Sequence, residues 1–390
     1  MPETVEIGLG RSVRRGYHLD QIAVVPTRRT RAQSLVSTQW QIDAHAFELP
    51  LVAAPSDAVV SPVSATVIEG LGGLAVLDGE GLWARHADAD AVLARLTRDC
   101  GGGCDGDDGG CDCDVDDVAE LQAAYAAPIQ PDLLRRRIGE LRAAGVRVAV
   151  RLAPQHTVEL APHVLAAGVD VLVIQGQVIS AEHVAAKNAE QTALNLKTFI
   201  ADIDVPVIVG GCANYQTALH LMRTGAAGVI VGYGSHLGST TQSVLGMDVP
   251  MATAIIDAAA ARREHLDETG GRYVHLIAYG DTPTGGGIAK ALACGADAVM
   301  LGEALAGAAE APGGGRFWDS TAGHPRLPRS MVLPADGAGR PSLAEVVAGP
   351  TSDPSGRRNL FGALRRVMAK CGYSTVKEFQ KAELILCGLD

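Results

Sequence analysis

Aromatic side chains make up only 4% of this 390-residue chain, so its core must be built from small and branched aliphatic residues. No stretch reaches the roughly eighteen consecutive apolar residues that a membrane-spanning helix needs. The first residues, MPETVEIGLGRSVRRG, contain no apolar signal core. Membrane insertion and secretion are both unsupported, and the sequence predicts a cytoplasmic protein. Positive charge is also in deficit. With 33 Lys and Arg against 44 Asp and Glu, the formal net charge is -11, which argues against a nucleic-acid surface. Evenly paired cysteines are missing too: Cys212, Cys294, Cys371 and Cys387 stand singly, and the other four crowd between Cys100 and Cys113. Without a signal peptide, reduced thiols are expected rather than a disulfide framework.

What is present is regular. PDLLRRRIGELRAAG has the apolar spacing of a helix and stops at Gly145; VRVAVRLA then reads as a strand, TVELAPHVLAAG as a helix and VDVLVIQG as a strand. Four more short apolar strands follow in VPVIVGG, AAGVIVGYG, YVHLIAYG and ADAVMLG, separated by helices in YQTALHLMRTG, DVPMATAIIDAAAARREHLDETG and GGIAKALACG. Upstream, ELPLVAAPSDAVVS and GLGGLAVLDGEG add two strands, and LWARHADADAVLARLTRD is an amphipathic helix. Eight strands alternating with Gly-stopped helices predict an α/β fold, a single (β/α)8 TIM barrel in one domain over residues 1–390, with strand six at 227–232. A doubly wound open sheet would want a Gly-rich fingerprint after its first strand. GLGGLAVL precedes its strand, so those glycines read as structural.

Residues 99–117, around CGGGCDGDDGGCDCD, are too rich in Gly and Asp to pack and read as an acidic surface loop, followed by a helix at 118–127. The gaps between Cys100, Cys104, Cys111 and Cys113 are three, six and one residues. That matches no standard structural zinc pattern, so a solvated excursion is preferred to a metal site. A Gly-Pro-rich linker is expected to open the C-terminal part at Pro312.

The chemistry concentrates in residues 229–255, VIVGYGSHLGSTTQSVLGMDVPMATAI: a strand, a Gly-broken loop, then a helix opened at Val249-Pro250. A loop that long in a compact chain asks for a function. VGYG, STT and VPMATAI in this order resemble the catalytic loop of the IMP dehydrogenase and GMP reductase family. YHLDQIAVVPTRRT resembles that family's extended N-terminal lead segment, and Asp57 matches the aspartate that ends its first strand. GRRNLFGALRRVMAKCGYSTVKEF resembles its C-terminal helical segment, with Ser374 and Thr375 supplying the helix cap and Glu378 as capping-box partner. The resemblance spans roughly residues 17–379 and is closest to a short branch without CBS domains, since only the 99–117 loop and the next helix stand at the usual insertion point.

The resemblance implies a site at the C-terminal ends of the strands, where a cysteine thiolate attacks the purine and hydride passes between substrate and NAD(P). The cysteine's place is taken by Ser239, followed by Thr240 and Thr241, with His236 three residues earlier as the one nearby base. Either a Ser-His pair or simple capping fits those residues. Substrate positions carry over to Tyr279, Gly280 and Asp281, where the family has an aspartate for the ribose, to Gly302 and Glu303, where it has a phosphate-binding serine, and to Gly234. A carboxylate at Glu303 facing a desolvated phosphate is repulsive by roughly several kcal/mol. Cofactor positions carry over to Gln175, Gly210, Gly211, Cys212 and Gly232, and the loop from Gly232 to Ser239 stands where a monovalent cation would bind. Gly210, Gly211, Gly232 and Gly234 also read simply as tight turns. The Arg-Tyr pair of the dehydrogenase flap has no counterpart, and Lys197 and Lys290 read as helix-surface charges.

Three readings follow: an NAD(P)-dependent oxidoreductase of purine nucleotides with a retuned pocket; a catalytically silent relative that binds a ligand or partner; or an enzyme of specialised metabolism acting on a modified nucleoside or another ligand. The loss of nucleophile, ribose ligand and phosphate serine together predicts that IMP is not oxidised at a rate typical of enzymes, roughly 1 per second or more, and that Ser239→Cys, Tyr279→Asp and Glu303→Ser together restore nucleotide binding. By analogy with the family the expected partner is a second, third and fourth copy of the chain, a homotetramer.

Overall fold

Short runs of Val, Ile, Leu and Ala, carrying an acidic or basic side chain only at Asp78 and Arg151 apart from His275, form the barrel strands, and glycines at the ends of helices return the chain to them. A computed structural model describes residues 4–98, 113–182, 184, 193–234, 237–335 and 339–387, with the side chains of 113–117 outside that description. Eight strands, β1 (Leu51–Ala53), β2 (Leu74–Asp78), β3 (Ala149–Leu152), β4 (Val171–Gln175), β5 (Val207–Cys212), β6 (Gly228–Val231), β7 (His275–Ala278) and β8 (Ala298–Leu301), form a closed barrel. All neighbours are parallel, and β8 closes on β1 with Val299 opposite Leu51 and Leu301 opposite Ala53. The expected (β/α)8 barrel is therefore the fold, and it leaves no sheet edge.

Side chains alternate across each strand. Val52, Val76, Val173, Ile208, Ile230 and Ile277 fill the interior, whereas Leu51, Leu77, Ile174, Val209 and Val231 pack outward under the helices. Both faces are buried, which is why the strands read as nearly continuous apolar runs. A hairpin, Trp40–Ile42 with His45–Phe47, closes the N-terminal end, its Trp40 and Phe47 rings stacked at 5.3 Å. Helix Pro131–Ala143 is followed by Gly145 at φ 75°, and helix Met251–Thr269 starts after Pro250 and ends on Gly270 at φ 67°. Those left-handed positions suit glycine.

Two expectations need correction. Residues 113–117, read as loop, open the helix Cys113–Ala126; Cys100, Cys104 and Cys111 lie outside the described residues. The expected cap is present: Thr375 Oγ1 accepts from Glu378 N at 3.2 Å, and the Glu378 carboxylate accepts from the amide of Ser374 at 2.9 Å. The second correction concerns the supposed linker. Residues 316–334 fold across the C-terminal mouth of the barrel, tied at their ends by antiparallel pairing of Arg316–Phe317 with Leu333–Pro334, and Phe317 and Trp318 are fully buried. Beyond them, helix Leu360–Cys371 packs on helix Gly285–Ala293, where a Cβ on Gly285 would sit 2.5 Å from Ala363 Cβ.

Candidate functional site

The loop after β6 leaves the barrel along a path that only glycine permits. Gly232 has φ 109°, and a Cβ there would lie 2.2 Å from the carbonyl oxygen of Tyr279; Gly234 has φ 100°, and its Cβ would meet Asp319 Oδ2 at 2.5 Å. Tight turns at these positions are the direct reading of the geometry. Ser239 Oγ donates to Thr241 Oγ1 at 3.1 Å and accepts from Thr241 N at 3.3 Å, at the head of the short helix Thr241–Leu245. Thr240 Oγ1 accepts from the amides of Gly323 and His324, both at 3.0 Å, and Thr241 is bonded to Gln177. The hydroxyls of this loop thus hold local backbone and the covering segment. His236 lies outside the described residues.

After β7, Tyr279 is buried and donates its hydroxyl to Asp319 Oδ2 at 2.6 Å. Burial and the Asp319 carboxylate hold the phenol well above the usual tyrosine range, so it stays a neutral donor. Gly280 (φ 139°) and Asp281 (φ 51°) follow in left-handed backbone, and Asp281 faces His18 at 3.5 Å. A cavity of about 210 Å3 brings Tyr279, Gly280, Asp281, Gly302 and Glu303 together with Arg357. A second, of about 160 Å3, is lined by Gly234, Ser239, Thr241 and Tyr233.

The residues expected to receive a nicotinamide do not fit it. Gln175, Gly210, Gly211, Cys212 and Gly232 are all buried, and a Cβ on Gly211 would lie 2.3 Å from Gly232 O. Burial pushes the Cys212 thiol up to about 12, so it supplies no thiolate in the cysteine's stead. Arg151 donates to the backbone oxygen of Gln175 at 2.8 Å, which closes that end of the barrel further.

Sequence reasoning missed what fills the mouth. Arg329, from the covering segment, reaches down to Asp78 Oδ2 at 2.9 Å and the carbonyl of Glu80 at 3.0 Å, while Arg151 from β3 takes Asp78 Oδ1 at 3.2 Å. Trp318 Nε1 donates to Tyr125 at 2.9 Å, and Tyr125 donates to Asp57 Oδ2 at 2.6 Å. Ser56 Oγ donates to the Trp318 carbonyl at 2.5 Å. Glu80 pairs with His156 at 2.7 Å; burial alone would raise its carboxyl, but His156, Arg151 and the Ala153 amide outweigh this and hold it at about 2. Asp57 moves the other way. Burial and the nearby Asp78 charge raise it to about 6 against the pull of Arg329 and Tyr125. The signal for this network was Arg151, a charged residue within an otherwise apolar strand.

A family model for the IMP dehydrogenase / GMP reductase domain matches residues 16–322. An uncharacterized oxidoreductase of Mycobacterium leprae is 55% identical over 98% of this chain and 99% of its own length. The inosine-5'-monophosphate dehydrogenase of Aquifex aeolicus is 37% identical over 47% of this chain and 34% of its own. Among solved structures, an IMP dehydrogenase/GMP reductase-like protein from Corynebacterium glutamicum superposes with a TM-score of 0.89 at 49% identity, covering 98% of both chains.

Proposed function

The chain belongs to the IMP dehydrogenase / GMP reductase family, and on that footing we propose that it binds a purine-like small molecule at the ends of β7 and β8 without the thiolate chemistry of IMP oxidation. One observation carries this reading. The five substrate-position residues around Tyr279 and Glu303 line one cavity, while the nucleophile position is a serine spent on local hydrogen bonds. A neutral serine hydroxyl lacks the reactivity of a thiolate unless a base activates it. Any use of NAD(P), or of a cation by the Gly232-to-Ser239 loop, requires the covering segment to move, because the residues for it are buried beneath the mouth network. The cytoplasm, expected from the sequence, is where such a ligand is found.

The closed mouth favours a second reading, a catalytically silent ligand-binding relative, because Trp318, Asp319 and Arg329 are buried there in bonds of their own. A thermal-shift screen over purine nucleotides, nucleosides and NAD(P), paired with an NADH assay on IMP and NAD, separates the readings. The expected result is stabilisation by a purine compound with IMP turnover far below about 1 per second. Turnover at that rate or above overturns the proposal. Stabilisation by no purine compound removes its ligand half as well.

A further inference from the structure

The cavity at the ends of β7 and β8 does not stand alone. Ala304 and Arg357 line it, and the same two residues line a neighbouring cavity of about 420 Å3 whose other walls include Ser352, Ser355, Asp353 and Arg358. The loop carrying those residues is ordered by its own side chains. Thr351 Oγ1 accepts from Asp353 N at 3.1 Å, Asp353 Oδ1 from Ser355 N at 2.8 Å, and Ser355 Oγ from Arg357 N at 3.2 Å. Arg358 is fixed against Glu345 at 2.9 Å and Asp353 at 3.3 Å. Gly356 O accepts from Gly285 N at 2.9 Å, which ties the loop to the helix that follows β7. Its donors are therefore preorganised.

Charge is divided between the two cavities. The first sets the two carboxylates of Asp281 and Glu303 beside Arg357, an excess of negative charge that disfavours an anion, while the second adds Arg358 and two serine hydroxyls against a single carboxylate, Asp353, which is paired with Arg358. We propose that residues 352–358 form an anion subsite that takes the phosphoryl end of a small molecule whose body lies in the first cavity, with Arg357 at the junction. The phosphoryl group then sits beyond Arg357 instead of at Gly302 and Glu303. The inference rests on the purine-like reading only for what fills the first cavity.

Isothermal titration of the full chain with IMP, inosine and inorganic phosphate tests it. IMP is expected to bind about tenfold more weakly to Arg357→Ala than to the native chain, inosine equally to both, and Arg357→Lys in between. Inorganic phosphate alone should bind the native chain and lose that binding in Arg357→Ala. Unchanged circular dichroism and melting of the variants exclude misfolding as the cause. If Arg357→Ala leaves IMP affinity unchanged while Glu303→Ser strengthens it about tenfold, the phosphoryl group sits at the end of β8 and the proposal is wrong. If neither IMP nor inosine binds, the purine reading has failed. The subsite then stands or falls on phosphate: Arg357-dependent binding supports it, and none overturns it.

Discussion

Asp57 and Glu80 follow neighbouring strands yet are shifted in opposite directions, and the signs have separate consequences. Glu80 is lowered from 4.5 to about 2, so its pairing adds stability that is complete above pH 4.5 and lost as pH falls towards 2. Asp57 is raised from 3.8 to about 6, so folding favours its protonated form and stability declines as pH rises through that window, by about 3 kcal/mol at most. Asp57→Asn is expected to flatten the urea midpoint between about pH 4 and 6; a slope identical to the native protein's would refute this assignment. Ser239→Cys alone is expected to leave IMP oxidation undetectable by NADH formation, because Tyr279 and Glu303 remain unsuited to the nucleotide. The structure also revises the expected effect of Tyr279→Asp. That change sets a second carboxylate against buried Asp319, and two carboxylates cannot both ionise there. Restoring nucleotide binding with the three substitutions therefore also requires neutralising Asp319.

At the scale of elements, residues 316–334 are held by individual buried bonds, and each tests how firmly the mouth is closed. Tyr279→Phe removes the donor to Asp319 and is expected to cost about 1–3 kcal/mol in urea unfolding. Arg329→Met takes one of two guanidinium partners from Asp78, and the remaining Arg151 limits the loss to about 3 kcal/mol. Limited proteolysis should then cut between Trp318 and Ser330 first. A variant as stable and as resistant as the native chain would show that the segment is closed by apolar packing of Phe317 and Trp318 instead. The (β/α)8 framework itself is not expected to respond, since its strands bond to one another all round.

For the whole molecule, the hairpin of Thr4–Gly8 and Arg11–Arg14 is exposed along its length, with Ile7 63% accessible, and is pinned at its base by Arg14 to Asp257 at 2.6 Å. A two-stranded hairpin of this kind is marginal on its own. Light scattering is expected to show an oligomer, a tetramer by family analogy, and a 40.3 kDa monomer at micromolar concentration would contradict it. Among the described residues no helix is long and apolar enough to cross a membrane. The sequence by itself determined the barrel, because strand and helix signals are local: β-branched runs such as VLVIQ, caps such as Asn214 with Thr217, and glycines after helices each act within a few residues. Through the family resemblance it also singled out Tyr279, Gly280, Asp281, Gly302 and Glu303, which line one cavity because they follow adjacent strands of the barrel. Only the tertiary structure decided what closes the mouth. Asp78, Arg151 and Arg329 are separated by 73 and 178 residues or more along the chain, and Tyr279 meets Asp319 across 40. Such pairings leave no local pattern, because charges become partners only when folding removes them from water together.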